Sequence, residues 1–348
     1  MINPKTEPSE VPLPPRPRVL PGLPVLDRGR GEVQIGLDPR HGVVATELSP
    51  ALVATLRSLD GSHTTTELFG LAGSAEAEQL RTLLTKLTRL GLIEDAGPAG
   101  PLNNSAETAL WSLRTKRSST ELASERAHCA VSIRGGGRLA VAMATLLARA
   151  GVGHIEVRAK GYVTDRDLGS GYVDSDLGKL RSQAMAAAIR RASPLVRTTR
   201  LTDRRLPELV LLTDSVVPAP DVVGELHADG LPHLVVRVRE GLGLVGPLVY
   251  PGRSSCLRCA DLYRSGADSS WPTVAGQLAG REQEADAANV YAVAGFATRQ
   301  ALRVLHQHHE PPPTWNGVLE LDTYTGKLRR RHWSPHPACG CGAVEPAY

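Results

Sequence analysis

The sequence predicts an α/β protein in which a doubly wound parallel sheet follows a small domain of three strands and three helices. In the later two thirds of the chain, short apolar runs alternate with helical patterns, which is typical of β-α-β units. Before them, three strand-like runs precede a stretch with helical leucine spacing. Two close cysteine pairs add a predicted metal site. With 348 residues, the chain is long enough for two domains.

Composition excludes several classes of protein. Hydrophobic and charged fractions of 41% and 22% are those of a globular chain, and a net charge of +4 marks no nucleic-acid or membrane surface. The sequence has neither a run of about 20 apolar residues nor a secretory signal, so we expect a cytoplasmic location. In a reducing compartment, two close cysteine pairs suit a metal better than disulfides.

The first domain is predicted over residues 18–96, after a proline-rich, disordered tail over 1–17. Apolar runs at 24–27, 32–37 and 42–48 are separated by glycine turns and predict three strands. Ser49-Pro50 and the Thr64/Glu67 capping box begin helices, and a leucine stripe over 80–90 predicts a third. These elements make up the whole predicted first domain.

The second domain is predicted over residues 128–348, after a linker and connecting helix over 97–127. Its predicted strands are 129–133, 155–157, 209–212 and 234–238, and its clearest helices are 139–149 and 179–191. A further helix at 285–306 and a strand at 318–322 complete the sheet. Strands that alternate with helices in this way pair in parallel.

A glycine-rich turn lies between the first predicted strand and helix of this domain. Gly135, Gly137 and Ala140 form a G-x-G-x-x-A pattern, which is typical of a Rossmann-like sheet. Glycines there let the backbone approach a pyrophosphate at a helix amino terminus. The alternative is that they only allow close packing of helix on strand.

The stretch Gly135-Gly136-Gly137-Arg138-Leu139-Ala140, followed by Gly151-Val152-Gly153, resembles ThiF-type enzymes, which adenylate a carboxyl terminus. The resemblance extends over about residues 128–341. It implies a nucleotide site in which Arg181 is the basic residue and Asp214 holds magnesium. The alternatives are a solvated helix face for Arg181 and a turn residue for Asp214.

The chain departs from the family pattern at several positions. Arg138 stands where the family has glycine, and Ala159 falls where an acidic residue holds the ribose. The family's phosphate-binding arginine falls on Ser170, although Arg166 could replace it. Charge-assisted hydrogen bonds are the strong ones, so the loss of these groups should weaken nucleotide binding. We therefore expect that the chain does not turn over ATP in the presence of magnesium and that it has no catalytic residue.

Four cysteines are predicted to hold a structural zinc ion. Cys256 and Cys259 have the spacing of a zinc knuckle, and Cys339 and Cys341 supply two more thiolates around Gly340. Residues 251–259 also resemble the first zinc knuckle of ThiF-type proteins. Two disulfides are the alternative. Cys129, in a predicted buried strand, is expected to be structural, and the histidines of 306–309 to finish a helix.

The first domain resembles PqqD-type winged-helix modules, which bind the leader peptides of ribosomally made natural products. The resemblance rests on the order of three strands and three helices. It implies a peptide-binding surface formed by Val43, Val44, Leu80 and Leu84. The alternative is a packing or dimerisation domain in which the leucines are buried.

The fusion of these parts resembles the partner proteins of YcaO-type cyclodehydratases. It implies a non-catalytic scaffold that presents a precursor peptide to a partner enzyme and, by the ThiF resemblance, forms a homodimer. The alternative is an active ATP-dependent adenylyltransferase acting on a protein or peptide carboxyl terminus. A winged-helix DNA-binding regulator is a third, less favoured reading, because the helical stretch 76–89 carries only Arg81, Lys86 and Arg89 as basic residues.

Overall fold

The computed structural model describes residues 11–97, 105–213, 215–306 and 310–344. Its contacts divide the chain into two compact units, one ending at Ser124 and the other beginning at Glu125. Among the described residues, no helix combines the length and the apolar character that crossing a membrane requires.

The first unit contains the predicted three strands and three helices, with elements before and after them. A three-stranded antiparallel sheet has the order β2-β3-β4, and β1 pairs with β5 in a separate ladder. Two further helices end the unit. The elements are β1 (Pro17–Val19), β2 (Val25–Gly29), β3 (Glu32–Ile35), β4 (Val43–Ala45), α1 (Pro50–Arg57), α2 (Thr65–Ala72), α3 (Ala77–Arg89), β5 (Ile93–Asp95), α4 (Ser105–Thr115) and α5 (Ser119–His128), the last of which crosses into the second unit.

Local signals in the sequence begin the helices of this unit. The Ser49 side chain accepts a hydrogen bond from the Leu52 N–H, and Thr64 and Glu67 form the predicted capping box. The predicted tail over 1–17 needs correction at its end. The carbonyl oxygen of Pro15 accepts a hydrogen bond from the Thr65 N–H at 2.9 Å, which fixes this segment against α2.

The second unit alternates strands and helices before it changes to an antiparallel pattern. The elements are β6 (Ala130–Arg134), α6 (Arg138–Arg149), β7 (His154–Arg158), α7 (Arg181–Ala192), β8 (Leu209–Leu212), α8 (Pro220–Ala228), β9 (His233–Arg239), β10 (Leu242–Val249), α9 (Leu257–Ala267), α10 (Trp271–Leu278), α11 (Ala287–Leu305), β11 (Gly317–Asp322) and β12 (Lys327–His332). All seven strands join one sheet, in the order β12-β11-β10-β9-β8-β6-β7.

The predicted parallel arrangement holds for one half of this sheet, and the other half is antiparallel. Strands β7, β6, β8 and β9 pair in parallel, whereas β10, β11 and β12 add antiparallel pairs. The change occurs at a two-residue hairpin, Glu240-Gly241, where both residues have positive φ (52° and 81°). Such a turn joins adjacent antiparallel strands directly, without the crossover helix that a parallel pair needs.

Helices cover both faces of the sheet. On one face, α11 lies so close to β10 that a Cβ added at Gly243 would be 2.3 Å from a Val293 methyl carbon. On the opposite face, Leu226 of α8 packs against Val210 and Val235. Since β6, β8 and β9 run parallel, their carboxyl ends meet at one edge, where ligands bind in sheets of this type.

Candidate functional site

The glycine turn joins the end of β6 to the start of α6, as predicted. Gly135 has a φ of 149°, and a Cβ added at Gly136 would lie 2.9 Å from both the Ala159 Cβ and the Arg181 Cδ. An added Cβ at Gly137, in contrast, would meet no atom of the described residues within 4 Å. Gly136 therefore serves packing, and Gly137 leaves the backbone open at the helix amino terminus.

Gly137 borders an open pocket of about 1010 Å³, large enough for a nucleotide. Arg138, Arg166 and Arg181 line it together with five carboxylates. The acidic residues are Asp165, Asp167, Glu282, Glu284 and Asp286. The pocket therefore joins a helix amino terminus, which favours anions, with a lining of mixed charge.

Arg181 is held in place by two carboxylates. Its guanidinium is buried and contacts the Asp167 carboxylate at 3.1 Å and the Glu282 carboxylate at 2.6 Å. Burial acts to lower the pKa of Arg181, but the hydrogen bond that Arg181 donates to Glu282 and the charge of Asp167 outweigh it and raise the pKa above its ordinary value. Asp167 is itself oriented by the backbone N–H of Thr164 at 2.9 Å. Arg181 is thus a positioned cation, and the expectation of a solvated helix face is not met.

The two other arginines reach the pocket from different segments. Arg138, at the first position of α6, contacts the carbonyl oxygen of Ala285 at 3.4 Å, and its buried Nε has no partner within the described residues. Arg166 forms an exposed ion pair with Glu284 at 2.6 Å. The sequence marked Arg138 as a departure from the family pattern and Arg166 as a candidate replacement for the phosphate-binding arginine, and the structure brings both to the same pocket.

A segment before α11 crosses the pocket, and sequence reasoning missed it. It supplies Glu282, Gln283 and Glu284 to the lining. The Gln283 side chain donates to the carbonyl oxygen of Thr213 and accepts from the Val238 N–H at 2.6 Å, which fastens the segment to the ends of β8 and β9. Because the segment is distant in sequence from the glycine turn, only the acidic run 282–286 could have indicated it.

One of the family departures is explained by packing. Ala159 follows β7 directly and lies beside Gly136, so a small side chain fits there. Ser170 is buried. Asp214, expected to hold magnesium, lies outside the described residues.

The four cysteines of the predicted metal site converge. Cys256, Cys259, Cys339 and Cys341 have sulfur atoms that all lie within 4.8 Å of one another. Three of the sulfur pairs are separated by 3.6, 3.6 and 3.8 Å. The segment before β11 also holds the first knuckle, because the Asn316 side chain accepts from the Ser255 N–H at 2.7 Å.

These distances fit a tetrahedral metal ion. Zinc–sulfur bonds of about 2.3 Å place the sulfur atoms of a tetrahedron about 3.8 Å apart. All four cysteines are free, so the alternative of two disulfides is not what this structure contains. The residues can therefore hold a metal, and four sulfur ligands leave no open coordination position for chemistry.

Cys129 is buried in the segment before β6. Burial, followed by the charge of Glu208, raises the pKa of its thiol to about 11. It is therefore a neutral thiol at neutral pH, the form that is not nucleophilic. His306 is buried at the end of α11, and residues 307–309 of the histidine cluster lie outside the described residues.

In the first unit, the residues expected to bind a peptide do not share one surface. Leu80 and Leu84 are completely buried in the core of this unit, which corrects their expected position on a groove. Both lie on the face of α3 that packs against the unit's other elements. Val44 is 42% exposed and Val43 is half-buried, on the edge strand β4 of the three-stranded sheet.

Solved structures share this fold over nearly the whole chain. E. coli MccB with MccA-N7isoASN superimposes with a TM-score of 0.67 at 12% identity, covering 94% of this chain and 99% of MccB. MccB with ATP gives 0.66 at 12% identity and coverages of 93% and 99%, and PaaA gives 0.63 at 16% and coverages of 90% and 98%. No curated protein sequence shows a significant match.

The expectation of a non-catalytic delivery protein is wrong. That expectation rested on the combination of a small amino-terminal domain with a sheet domain. MccB, which is described as a Microcin C7 biosynthetic enzyme, shares this fold over 99% of its own length, so the same combination occurs in an enzyme. The expectation that the departures rule out ATP is likewise unsupported, because MccB, with this fold, has been solved with ATP. The ThiF family model matches residues 119–343, about two thirds of the sequence. The chain therefore belongs to the ThiF family.

Proposed function

We propose that this protein is an ATP-dependent adenylyltransferase that activates the carboxyl terminus of a peptide or protein. The observation that carries the proposal is Gly137, which leaves the amino terminus of α6 open to a pocket lined by three arginines. Free N–H groups at a helix start and arginine forks are the groups that bind phosphates.

In the proposed reaction, the substrate carboxylate attacks the α-phosphorus of ATP and pyrophosphate leaves. Arg138 and Arg181 would stabilise the negative charge that develops on the phosphates. Glu282 is 63% exposed at its side chain, so it can yield its place on Arg181 to a phosphate oxygen, while the buried Asp167 keeps the guanidinium oriented. By the family resemblance, Asp214 would hold magnesium, which would neutralise part of the negative charge on the phosphates.

Asp165 is the carboxylate that we propose to meet the ribose in place of Ala159. Within the described chain, it is the pocket carboxylate whose side chain has no partner. Its oxygens can accept hydrogen bonds from hydroxyl groups, which the methyl group of Ala159 cannot do.

The test is ATP–pyrophosphate exchange with magnesium and peptides encoded near the gene. We expect exchange in the wild-type protein and at least a 10-fold loss in Arg138→Ala. Arg149→Ala is the matched control, because Arg149 is exposed at the other end of the same helix, about 16 Å away at 1.5 Å per residue. No exchange with any of these peptides, together with ATP binding weaker than about 1 mM, would refute the proposal.

MccB has also been solved in complex with N-formylated MccA, which supports a peptide-type substrate here. We further propose that the first unit, as a PqqD-like winged-helix module over 18–96, recognises that peptide through the edge of β4 at Val44. Zinc as the metal of the four cysteines, a homodimer and a YcaO-type partner remain predictions. Metal analysis, light scattering and the content of the gene neighbourhood test them.

A further inference from the structure

A second pocket, of about 80 Å³, lies on the face of the sheet opposite α11. It is separate from the proposed nucleotide site, because Arg237 and Arg239 point away from their neighbour Val238, which lines the larger pocket. Four arginines and two tryptophans surround it: Arg237, Arg239, Arg264, Arg331, Trp271 and Trp333.

Among the residues that the structure describes, Arg237 has no counter-ion in this pocket. The residue is 8% exposed, and its Nη1 donates to the carbonyl oxygen of Val216 at 3.1 Å. Its Nε is buried and has no partner in the part of the chain that the structure describes, where no carboxylate lies within 4.0 Å of the guanidinium. Burial, followed by the charge of Arg264, lowers the pKa of Arg237 to about 10.

The carboxylates near this pocket are already engaged. Glu320 binds Arg331 at 2.9 Å, and Asp261 binds Arg264 at 2.9 Å and the Trp271 indole N–H at 3.0 Å. Arg264 also stacks between Trp271 and Trp333. Positive charge is therefore in excess, and the buried Trp333 Nε1 is a second donor that lacks a partner among the described residues.

A purely structural role does not account for these donors. An unpaired buried cation is destabilising, since neither water nor a carboxylate replaces its lost hydration. A packing role would be filled better by an apolar side chain. An arginine kept in this state indicates that its partner comes from outside the described chain.

The adjacent strand β12 indicates what that partner is. It is the terminal strand of the sheet, all six of its residues are exposed, and five of them, in the sequence Lys-Leu-Arg-Arg-Arg-His, are basic types. Basic residues on an edge strand also discourage aggregation, but this role requires no arginine buried behind the edge. An acidic peptide that crosses this face of the sheet would complement the charge of β12.

We propose that an acidic peptide lies across this face of the sheet, against the basic side chains of β12, and inserts one carboxylate side chain into the pocket, between Arg237 and Arg331. A guanidinium fork matches the two oxygens of a carboxylate. The pocket volume of about 80 Å³ suffices for a carboxylate group, because one water needs only about 10–15 Å³ on the same measure. The proposal is independent of nucleotide chemistry, so its test contains no ATP.

The test is fluorescence anisotropy on the full-length protein at 150 mM salt. The probes are a labelled hexapeptide with glutamates at alternate positions and the same peptide with glutamines. We expect the glutamate peptide to bind at least 10-fold more tightly, and Arg237→Met to remove this preference. Arg330→Met is the matched control, because Arg330 lies on β12 but donates to the carbonyl oxygens of Pro313 and Trp315.

Thermal unfolding without peptide separates binding from packing. Arg237→Met should raise Tm by a few degrees, because it removes an unpaired buried charge. A lower Tm with unchanged peptide affinity would show a structural arginine and overturn the proposal. Should Arg237→Met not fold, the exposed Arg331→Met must still weaken the glutamate peptide several-fold. Equal affinity for the two peptides, or tighter binding of inorganic phosphate or random duplex DNA, would also overturn it.

Discussion

Two adjacent glycines in the turn before α6 have different roles. Gly136 is surrounded by Ala159 and Arg181, whereas Gly137 faces open space. We expect Gly137→Ala to change the free energy of unfolding by less than about 1 kcal/mol, since the site can accept a methyl group. The same methyl would occupy the space of a phosphate and reduce ATP affinity at least 10-fold.

Calorimetric titration with ATP and magnesium measures the affinity, and urea unfolding measures stability. Gly136→Ala is the comparison. Its methyl would press on Ala159 and Arg181 and cost about 1–3 kcal/mol of stability. Unchanged ATP affinity in Gly137→Ala would mean that the turn serves packing alone.

Glu282 binds the Nη1 atom of Arg181, which a phosphate group would need as a hydrogen-bond donor. Replacing it with glutamine removes the charge while keeping the shape, so ATP should bind about 2–5-fold more tightly, a modest change because the carboxylate is exposed. Glu225→Gln, which removes the charge paired with Arg134 outside the pocket lining, is the control. A weaker ATP affinity in Glu282→Gln would show that Glu282 takes part in the nucleotide site itself.

At the residue scale, the sequence indicated groups that lie in continuous motifs. Spacing predicted the glycine turn and the four cysteines, and the family resemblance predicted Arg181. Glu282 and Gln283 were missed because their part in the site depends on a segment that returns across the strand ends. Leu80 and Leu84 were misplaced because a leucine stripe predicts a helix with a buried face but does not separate a groove from a core.

At the scale of elements, the cysteine cluster joins α9 to the chain after β12. Cys256 and Cys259 lie at the start of α9, and Cys339 and Cys341 follow the last strand. We expect about one zinc per chain, and a Tm lowered by about 10 °C or more in Cys256→Ser. Each kcal/mol shifts the Tm of a unit of this size by about 2–4 °C, and structural metal sites contribute several.

Metal analysis and a thermal melt measure these effects, and Cys129→Ser is the control because Cys129 lies outside the cluster. Full stability in metal-free protein would remove the structural role of the site.

The strands were predictable to different degrees. Buried, β-branched runs identified β6, β8 and β9, but the antiparallel β10 and β12 were missed. Strand β10 contains two glycines and a proline, which read as a loop, and the basic residues of β12 carry no apolar alternation. The hairpin Glu240-Gly241 is the local signal that could have indicated the change of direction.

At the scale of the whole molecule, each unit has a hydrophobic core of its own. The core of the first unit contains Leu52, Leu80 and Leu84, and a separate cluster in the second contains Val210, Leu226 and Val235. The order of a small strand-and-helix domain before a larger sheet domain follows directly from the sequence patterns. What those patterns could not determine is function, because the charged groups of the larger pocket come from distant segments.

Separate cores lead us to expect two transitions when the full-length protein is heated in a calorimeter. The metal site lies in the second unit, so a chelator should lower the transition of that unit and leave the other unchanged. Intrinsic fluorescence shows which unit unfolds in the transition that the chelator shifts. Three of the tryptophans, Trp271, Trp315 and Trp333, lie in the second unit, and Trp111 lies in the first. Trp111→Phe should therefore leave the chelator-sensitive fluorescence change intact. A single transition that a chelator shifts as a whole would show that the two units unfold as one cooperative body.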